Sequence, residues 1–174
     1  NRPTRWAGGE ASTVPAPLLA APPLILLKPG TTGTLRLLRT ESDILPVDRE
    51  TLFELSIASV PSGKVENQSV KVAMRSVFKL FWRPEGLPGD PLEAYQQLRW
   101  TRNSQGVQLT NPTPYYINLI QVSVNGKALS NVGVVPPKSQ RQTSWCQAIA
   151  PCHVAWRAIN DYGGLSAKKE QNLP

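Results

Sequence analysis

Residues 70–83 read VKVAMRSVFKLFWR, a stretch in which the side-chain character alternates with a period of two. Four odd positions carry the cations Lys71, Arg75, Lys79 and Arg83. The even positions are apolar apart from one serine: Val70, Val72, Met74, Ser76, Phe78, Leu80 and Trp82. Because successive side chains of an extended chain point to opposite faces, the pattern predicts one β-strand. Such a strand would be about 45 Å long, and we expect it to link two domains or to offer an edge to another chain.

Proline and glycine content indicates an all-β fold. The chain has 174 residues, of which 17 are proline and 12 are glycine, and prolines so widely spread exclude long helices. Residues 84–91 hold three prolines, at 84, 88 and 91, and two glycines, at 86 and 89. We therefore place a domain boundary after residue 84, which gives domains 1–84 and 85–174.

Short strand candidates fill both predicted domains. Residues 1–23 are rich in Gly, Ala and Pro and are expected to be only partly ordered, apart from a short strand at Leu18 and Leu19. Asn125-Gly126 predicts a two-residue hairpin turn. This spacing of strands and turns is typical of β-sandwiches. The predicted strands are 24–27, 32–39, 51–60, 69–83, 97–102, 106–110, 115–124, 127–130, 141–146 and 154–160.

The charge pattern does not favour nucleic acid as a partner. The chain has 19 Lys and Arg against 12 Asp and Glu. Residues 1–84 hold 11 basic and 7 acidic side chains and residues 85–174 hold 8 and 5, so no domain concentrates the excess. Residues 14–27 are apolar but contain four prolines, so we expect no membrane insertion. Residues 1–5, NRPTR, precede no hydrophobic stretch, and no signal peptide is predicted there.

Two cysteines, Cys146 and Cys152, stand six positions apart. With His153 as the only histidine, they match no four-ligand metal site, and we expect neither a metal nor a cofactor. The spacing favours a disulfide that closes a tight hairpin, and two free buried thiols are the alternative. A loop this short would contribute about 2 kcal/mol, and its formation would place folding in an oxidising compartment.

The sequence offers little for catalysis. His153 follows Cys152 directly, so it would serve as a base beside a thiol that is already occupied. No nucleophile elbow is visible. We therefore expect no enzyme and no catalytic residue, with His153 at the surface.

Four motifs resemble the periplasmic pilus-assembly chaperones of the chaperone-usher pathway. They occur in that family's order and spacing and reach over the chain from about Pro22. Each is moderately specific, and together they leave little room for coincidence. The motifs are LPVDRETLF at 45–53 followed by Val60-Pro61, KLFWRP at 79–84, LTNPTPYY at 109–116 and INDYGG at 159–164.

The resemblance implies two immunoglobulin-like sandwich domains that hold pilin subunits and deliver them to an outer-membrane usher. A pilin is an incomplete sandwich, and the chaperone lends it a strand. On this mapping Val70, Val72 and Met74 are the donated apolar side chains, although taken alone they would more often be core. Lys79 matches the family lysine that binds the subunit's terminal carboxylate, and a solvated surface lysine is the alternative.

Further family positions concern the junction between the domains and the start of the chain. Glu50, Arg83 and Asp161 match charged residues that hold the interdomain angle, and three unrelated surface charges are the alternative. The family begins with two strands that have no counterpart in this sequence, so the first domain is expected to be incomplete, with open edges that invite self-association. Glu54 stands where the family usually has an aromatic residue, and a buried unpaired carboxylate would be costly.

Two functions remain open on the sequence. The first is a periplasmic chaperone of fimbrial subunits. The second is a secreted immunoglobulin-like binding or adhesion module, in which the strand at 70–83 is buried core. Solvent exposure of Val70, Val72 and Met74 distinguishes them, because only a donor strand needs those side chains exposed.

Overall fold

The structure, a computed structural model, describes residues 4–7, 10–40, 45–62, 72–130, 132–147 and 151–174. The all-β prediction is confirmed, since the described residues form fourteen strands and, instead of an α-helix, a single 3₁₀ turn at Ala94–Gln97. Contacts divide the chain into two compact units, one of residues 1–46 and 51–82 and one of residues 47–50 and 83–174. Arg83 and Pro84, which the sequence placed in the first domain, thus group with the second unit. The domain division at residue 84 stays a prediction.

The first unit contains a four-stranded antiparallel sheet in the order β2-β1-β5-β6 and a separate pair, β3-β4. Among its residues whose burial is described, Phe53 on β5 packs with Ala16, Leu18 and Leu45, while Leu80 is partly buried against them. Several of its large apolar side chains, among them Leu24, Val72 and Met74, are exposed to solvent. The strands are β1 (Thr4–Ala7), β2 (Glu10–Pro15), β3 (Leu18–Ala21), β4 (Arg36–Arg39), β5 (Thr51–Ser59) and β6 (Met74–Trp82).

The strand predicted for residues 69–83 is shorter than the alternation suggested. β6 covers Met74–Trp82, and Val72 and Ala73 lie outside it. Val70 and the predicted start at Ser69 lie outside the described residues. A two-residue period records only which way side chains would point, and a strand additionally needs a neighbour for its backbone hydrogen bonds. β5 ends at Ser59, opposite Met74, so the described ladder ends there as well.

Other differences in the first unit have similar causes. The strands β1 and β2 were missed within the Gly- and Pro-rich residues 1–23, whereas β3 confirms the strand predicted at Leu18 and Leu19. Residues 24–27 are apolar but form no strand, and only the last half of the strand predicted at 32–39 is present as β4. Composition alone could not reveal these outcomes, because they depend on which backbone segments find partners.

The second unit is a sandwich of two sheets around a larger core. One sheet has the order β10-β9-β13-β14, with β11 also paired to β9, and the other has the order β12-β8-β7. Trp100, Leu109, Val122 and Trp156 are among its buried residues. The strands are β7 (Arg99–Asn103), β8 (Gly106–Asn111), β9 (Ile117–Val124), β10 (Lys127–Ala128), β11 (Val134–Val135), β12 (Ser139–Thr143), β13 (Cys152–Ile159) and β14 (Lys169–Leu173).

The predicted hairpin at Asn125-Gly126 is confirmed. Both residues have positive φ, 48° and 77°, which is the conformation that a two-residue turn of this type demands. The Asn125 amide group donates to the Pro151 carbonyl and accepts from the His153 backbone N–H, so the turn is also tied to the start of β13. The sequence missed β11 and β14, which lack the alternation used to find the others.

The predicted disulfide is present, with 2.03 Å between the Sγ atoms of Cys146 and Cys152. The prediction that this disulfide closes a hairpin is wrong. β12 pairs with β8, whereas β13 pairs with β9 and β14, so the strands on either side of the disulfide belong to different sheets. The bond therefore fastens the crossover between the two layers of the sandwich.

Candidate functional site

The candidate site is the outer edge of β6 together with Val72 and Ala73, which directly precede it. β6 pairs with β5 along its whole length, from Met74 opposite Ser59 to Trp82 opposite Thr51. Among the strands that the structure describes, β6 is the last in its sheet and has no neighbour on its other side. An edge of this kind leaves backbone N–H and C=O groups open for pairing with another chain.

Apolar side chains at this edge are solvent-exposed. Val72 is 65% exposed and Met74 is 67% exposed, while Val70 lies outside the described residues. Phe78, on the face of β6 that Met74 also occupies, is 52% exposed. These values are unusual for a strand with large apolar side chains, and they match what strand donation requires.

The exposure changes along one face of the β5–β6 pair. Near the Trp82 end, Phe53 is fully buried and its partner Leu80 is partly buried. Toward the Met74 end, Ile57 on β5 is 44% exposed on the same face. Phe78 and Ile57 were not predicted as site residues, although the alternation already placed Phe78 in line with Met74.

Lys79 lies on the opposite face of β6, directly across from Glu54. Its side chain is exposed and makes no ion pair or hydrogen bond with any residue in the described ranges. The Glu54 side chain is only 19% exposed, and the Arg75 guanidinium lies 3.9 Å away, so this carboxylate is not left unpaired. The Arg75 Nε also donates to the hydroxyl of the buried Ser56.

Glu50, Arg83 and Asp161, which the sequence linked through a family pattern, meet within the second unit. Arg83 Nε donates to Glu50 Oε1 over 2.7 Å, and the two Nη atoms donate to Asp161 over 2.7 and 3.0 Å. The Glu50 side chain is 2% exposed, and its Oε2 accepts from the backbone N–H of Tyr116 over 2.6 Å. One guanidinium therefore bridges two carboxylates, as the fork of arginine allows. A role at the domain junction stays a prediction.

The two carboxylates differ in how the protein shifts their pKa. Burial raises the pKa of Glu50, although the hydrogen bonds from Tyr116 and Arg83 oppose that effect. The hydrogen bonds from Arg83 hold the pKa of Asp161 below its usual value. The hydrogen bonds from Arg83 to Asp161 and Glu50 raise the pKa of Arg83, and the Asp161 contact is the larger cause.

These opposite shifts predict a pH dependence of folding. Because the pKa of Asp161 is lowered in the folded state, its contribution is complete above about pH 4, the unfolded value, and is lost as the pH falls toward the folded pKa. The effect of Glu50 on stability has the opposite pH dependence, because a carboxyl group whose pKa is raised in the folded state favours folding at low pH. We therefore expect the stability difference between the wild type and Asp161→Asn in urea unfolding to shrink between pH 5 and pH 3. A difference that stays constant over this range would contradict the assignment.

The sequence did not predict several other contacts around the network of Glu50, Arg83 and Asp161. The Tyr115 hydroxyl lies 3.2 and 3.1 Å from the carbonyls of Leu87 and Gly89, and the Arg83 guanidinium lies over its ring. Asp48 accepts from Lys138 over 2.8 Å and from Arg49. Arg49 and Lys138 together hold the pKa of Asp48 well below its usual range. Only a folded chain brings residues 90 positions apart together, so no local pattern could have indicated the Asp48–Lys138 pair.

The described His, Cys, Asp and Glu residues form no group of three or more that could bind a metal. Within the same residues, no helix has the length and apolarity needed to cross a membrane.

Comparisons with known proteins identify the family. Residues 4–88 match the profile of the pili and flagellar-assembly chaperone, PapD N-terminal domain, and residues 93–170 match that of the pili assembly chaperone PapD, C-terminal domain. The probable fimbrial chaperone protein ElfD of Escherichia coli K12 is 39% identical over 91% of this chain and 68% of the relative. The chaperone protein FimC of the same strain is 32% identical over 94% of this chain and 68% of the relative.

Solved structures give the same result. The complex of the Salmonella enterica SafA pilin with the SafB chaperone contains a chain with a TM-score of 0.81 and 31% identity, over 98% of this chain and 80% of that one. The E. coli chaperone DraB has a TM-score of 0.78 and 33% identity, over 91% of this chain and 77% of that one.

The chain belongs to the PapD family of pilus-assembly chaperones. This membership confirms the prediction of two immunoglobulin-like sandwich domains. The family consists of binding proteins without enzymatic activity, so the prediction that the chain is not an enzyme is also confirmed.

Proposed function

We propose that this chain is a periplasmic chaperone that holds fimbrial subunits by donating the strand around Val70, Val72 and Met74 and delivers them to an outer-membrane usher. The observation that carries the proposal is the exposure of Val72 and Met74, at 65% and 67%, where the edge strand β6 begins. The relatives named as fimbrial chaperones and the SafA–SafB complex support a pilin as the partner.

Strand donation suits the chemistry of this edge. Backbone groups on the open side of β6 would form the ladder with a subunit, and alternate side chains would fill its apolar groove. Burial of each such side chain is worth about 1.5–3 kcal/mol before the costs of association. The buried Phe53 and the partly buried Leu80 would hold the other end of the strand in its own unit.

We assign Lys79 to the terminal carboxylate of the subunit. Its ammonium group is exposed and unpaired within the described residues, and it lies on the face opposite the apolar donors. A charge-assisted contact there would fix the register in which the subunit pairs with β6. The periplasm fits this role, because the Cys146–Cys152 disulfide requires an oxidising compartment.

Coexpression with a panel of fimbrial subunits, SafA among them, tests the proposal. We expect the wild type to keep at least one subunit soluble and to copurify with it. Lys79→Ala should lower the amount captured about tenfold, and Lys79→Glu should lower it further because it repels the carboxylate. The matched control is Lys127→Ala, an exposed strand lysine of the second unit. Failure to capture any subunit would contradict the function, and undiminished capture by both Lys79 variants would contradict the anchor.

Without a subunit, the open edge of β6 is available for pairing with a second copy of the chain. Two copies could pair through their edges, and we propose weak self-association that a bound subunit suppresses.

No observation favours the alternative function of an adhesion module. That alternative required the donor side chains to be buried core, whereas Val72 and Met74 are exposed.

A further inference from the structure

Four polar side chains share the face of the β5–β6 pair that carries Lys79. On β6, Arg75 and Lys79 both occupy odd positions, four residues apart. On β5, Ser56 lies opposite Val77 and Glu54 lies opposite Lys79. The face therefore holds two cations and one carboxylate within one short segment of the ladder.

The carboxylate pairs with the more distant cation. Residues directly opposite each other in an antiparallel pair have their Cβ atoms about 5 Å apart, so Glu54 and Lys79 are natural partners. Instead, Glu54 Oε1 lies 3.9 Å from Arg75 Nη2. The Lys79 side chain has no partner among the described residues.

A second contact holds Arg75 where its guanidinium can reach Glu54. Its Nε donates to the Ser56 hydroxyl, and Ser56 is 7% exposed, so the guanidinium is anchored part of the way along the ladder toward Glu54. The Arg75 side chain itself is 64% exposed, whereas that of Glu54 is 19% exposed. A mostly buried carboxylate needs a cation. An arginine can bind a hydroxyl and a carboxylate simultaneously, whereas a lysine offers one point charge.

We infer that Arg75 is a positioning residue that keeps Glu54 away from Lys79 and so leaves the lysine ammonium available for the carboxylate of a partner. If Glu54 paired with Lys79, an incoming carboxylate would meet a neutralised lysine and a like charge beside it. The inference rests on the proposed function for its consequence in binding. The arrangement of Arg75, Glu54 and Lys79 can be tested without any partner.

The first experiment needs no subunit. Crystal structures of the wild type and of Arg75→Gln should show the Glu54 carboxylate near Arg75 in the former and within 4 Å of Lys79 Nζ in the latter. A Glu54 side chain that stays away from Lys79 in Arg75→Gln would overturn the inference, whatever the chain binds.

The second experiment measures binding to the subunit that the wild type captures best from the panel. Arg75→Gln should weaken binding about threefold to tenfold, and by no more than Lys79→Ala does. Arg75→Lys should lose less, because it keeps a cation. Arg36→Gln, which removes an exposed arginine from β4, is the control for net charge and should change nothing.

Rescue separates positioning from a merely structural role. Adding Glu54→Gln to Arg75→Gln should restore binding to within about twofold of the wild type, because no carboxylate is left to occupy Lys79. Absence of rescue would overturn the inference. If Lys79→Ala has no effect on binding, the proposed anchor fails, and the crystal structures still decide whether Arg75 controls Glu54.

Discussion

Replacement of Val72 and Met74 by aspartate should abolish subunit capture without unfolding the chain. Both side chains are mostly exposed, so a carboxylate at either position costs little in the free protein. In a complex the same positions would lie in an apolar groove. The loss of two buried side chains at about 1.5–3 kcal/mol each, plus the burial of charge, should weaken binding by more than about 100-fold.

Pull-down of the coexpressed subunit measures this effect, and thermal melting checks the fold. Val47→Asp provides the matched control, because Val47 is 79% exposed and lies in the other unit. Normal capture by the Val72→Asp/Met74→Asp protein would show that the subunit does not use this edge.

Removal of the Arg83 side chain should have the largest effect on stability. Arg83→Ala leaves the Glu50 carboxylate buried with the Tyr116 N–H as its remaining hydrogen-bond donor. Breaking a buried pair in this way costs about 3 kcal/mol or more, which should lower the melting temperature of the second unit by more than about 10 °C.

The comparison with Asp161→Asn makes this prediction specific. Asp161 is 43% exposed, so its contact with Arg83 should be worth about 1 kcal/mol or less. Arg83→Lys should fall between the two, since it keeps the charge and loses the fork. Equal melting temperatures for Arg83→Ala and the wild type would contradict the network.

The sequence predicted those features that depend on local pattern. The alternation in residues 70–83 identified β6, and Asn125-Gly126 identified the turn between β9 and β10. Each of these signals is contained within a few neighbouring residues. The spacing of Cys146 and Cys152 indicated the bond between them, but not that it joins two sheets. That fact depends on strand pairing, which the spacing does not record.

The candidate site was predicted only in part. Val72, Met74 and Lys79 were assigned through a family resemblance, and their exposure fits the assignment. The role of Arg75 could not be read from the sequence, although its odd position placed it on the Lys79 face. Its contact with Glu54 depends on the register between β5 and β6, and a shift of that register by one residue would move Glu54 to the other face.

Hydrogen exchange at the β6 backbone tests whether this strand is donated to a subunit. In the free chain, the amides of β6 that point away from β5 should exchange quickly, because the described sheet ends at this strand. With a bound fimbrial subunit, we expect strong protection of those amides between Met74 and Val77, since a strand of the subunit then pairs with them. A captured subunit that leaves these amides exchanging as fast as in the free chain would contradict donation of this strand.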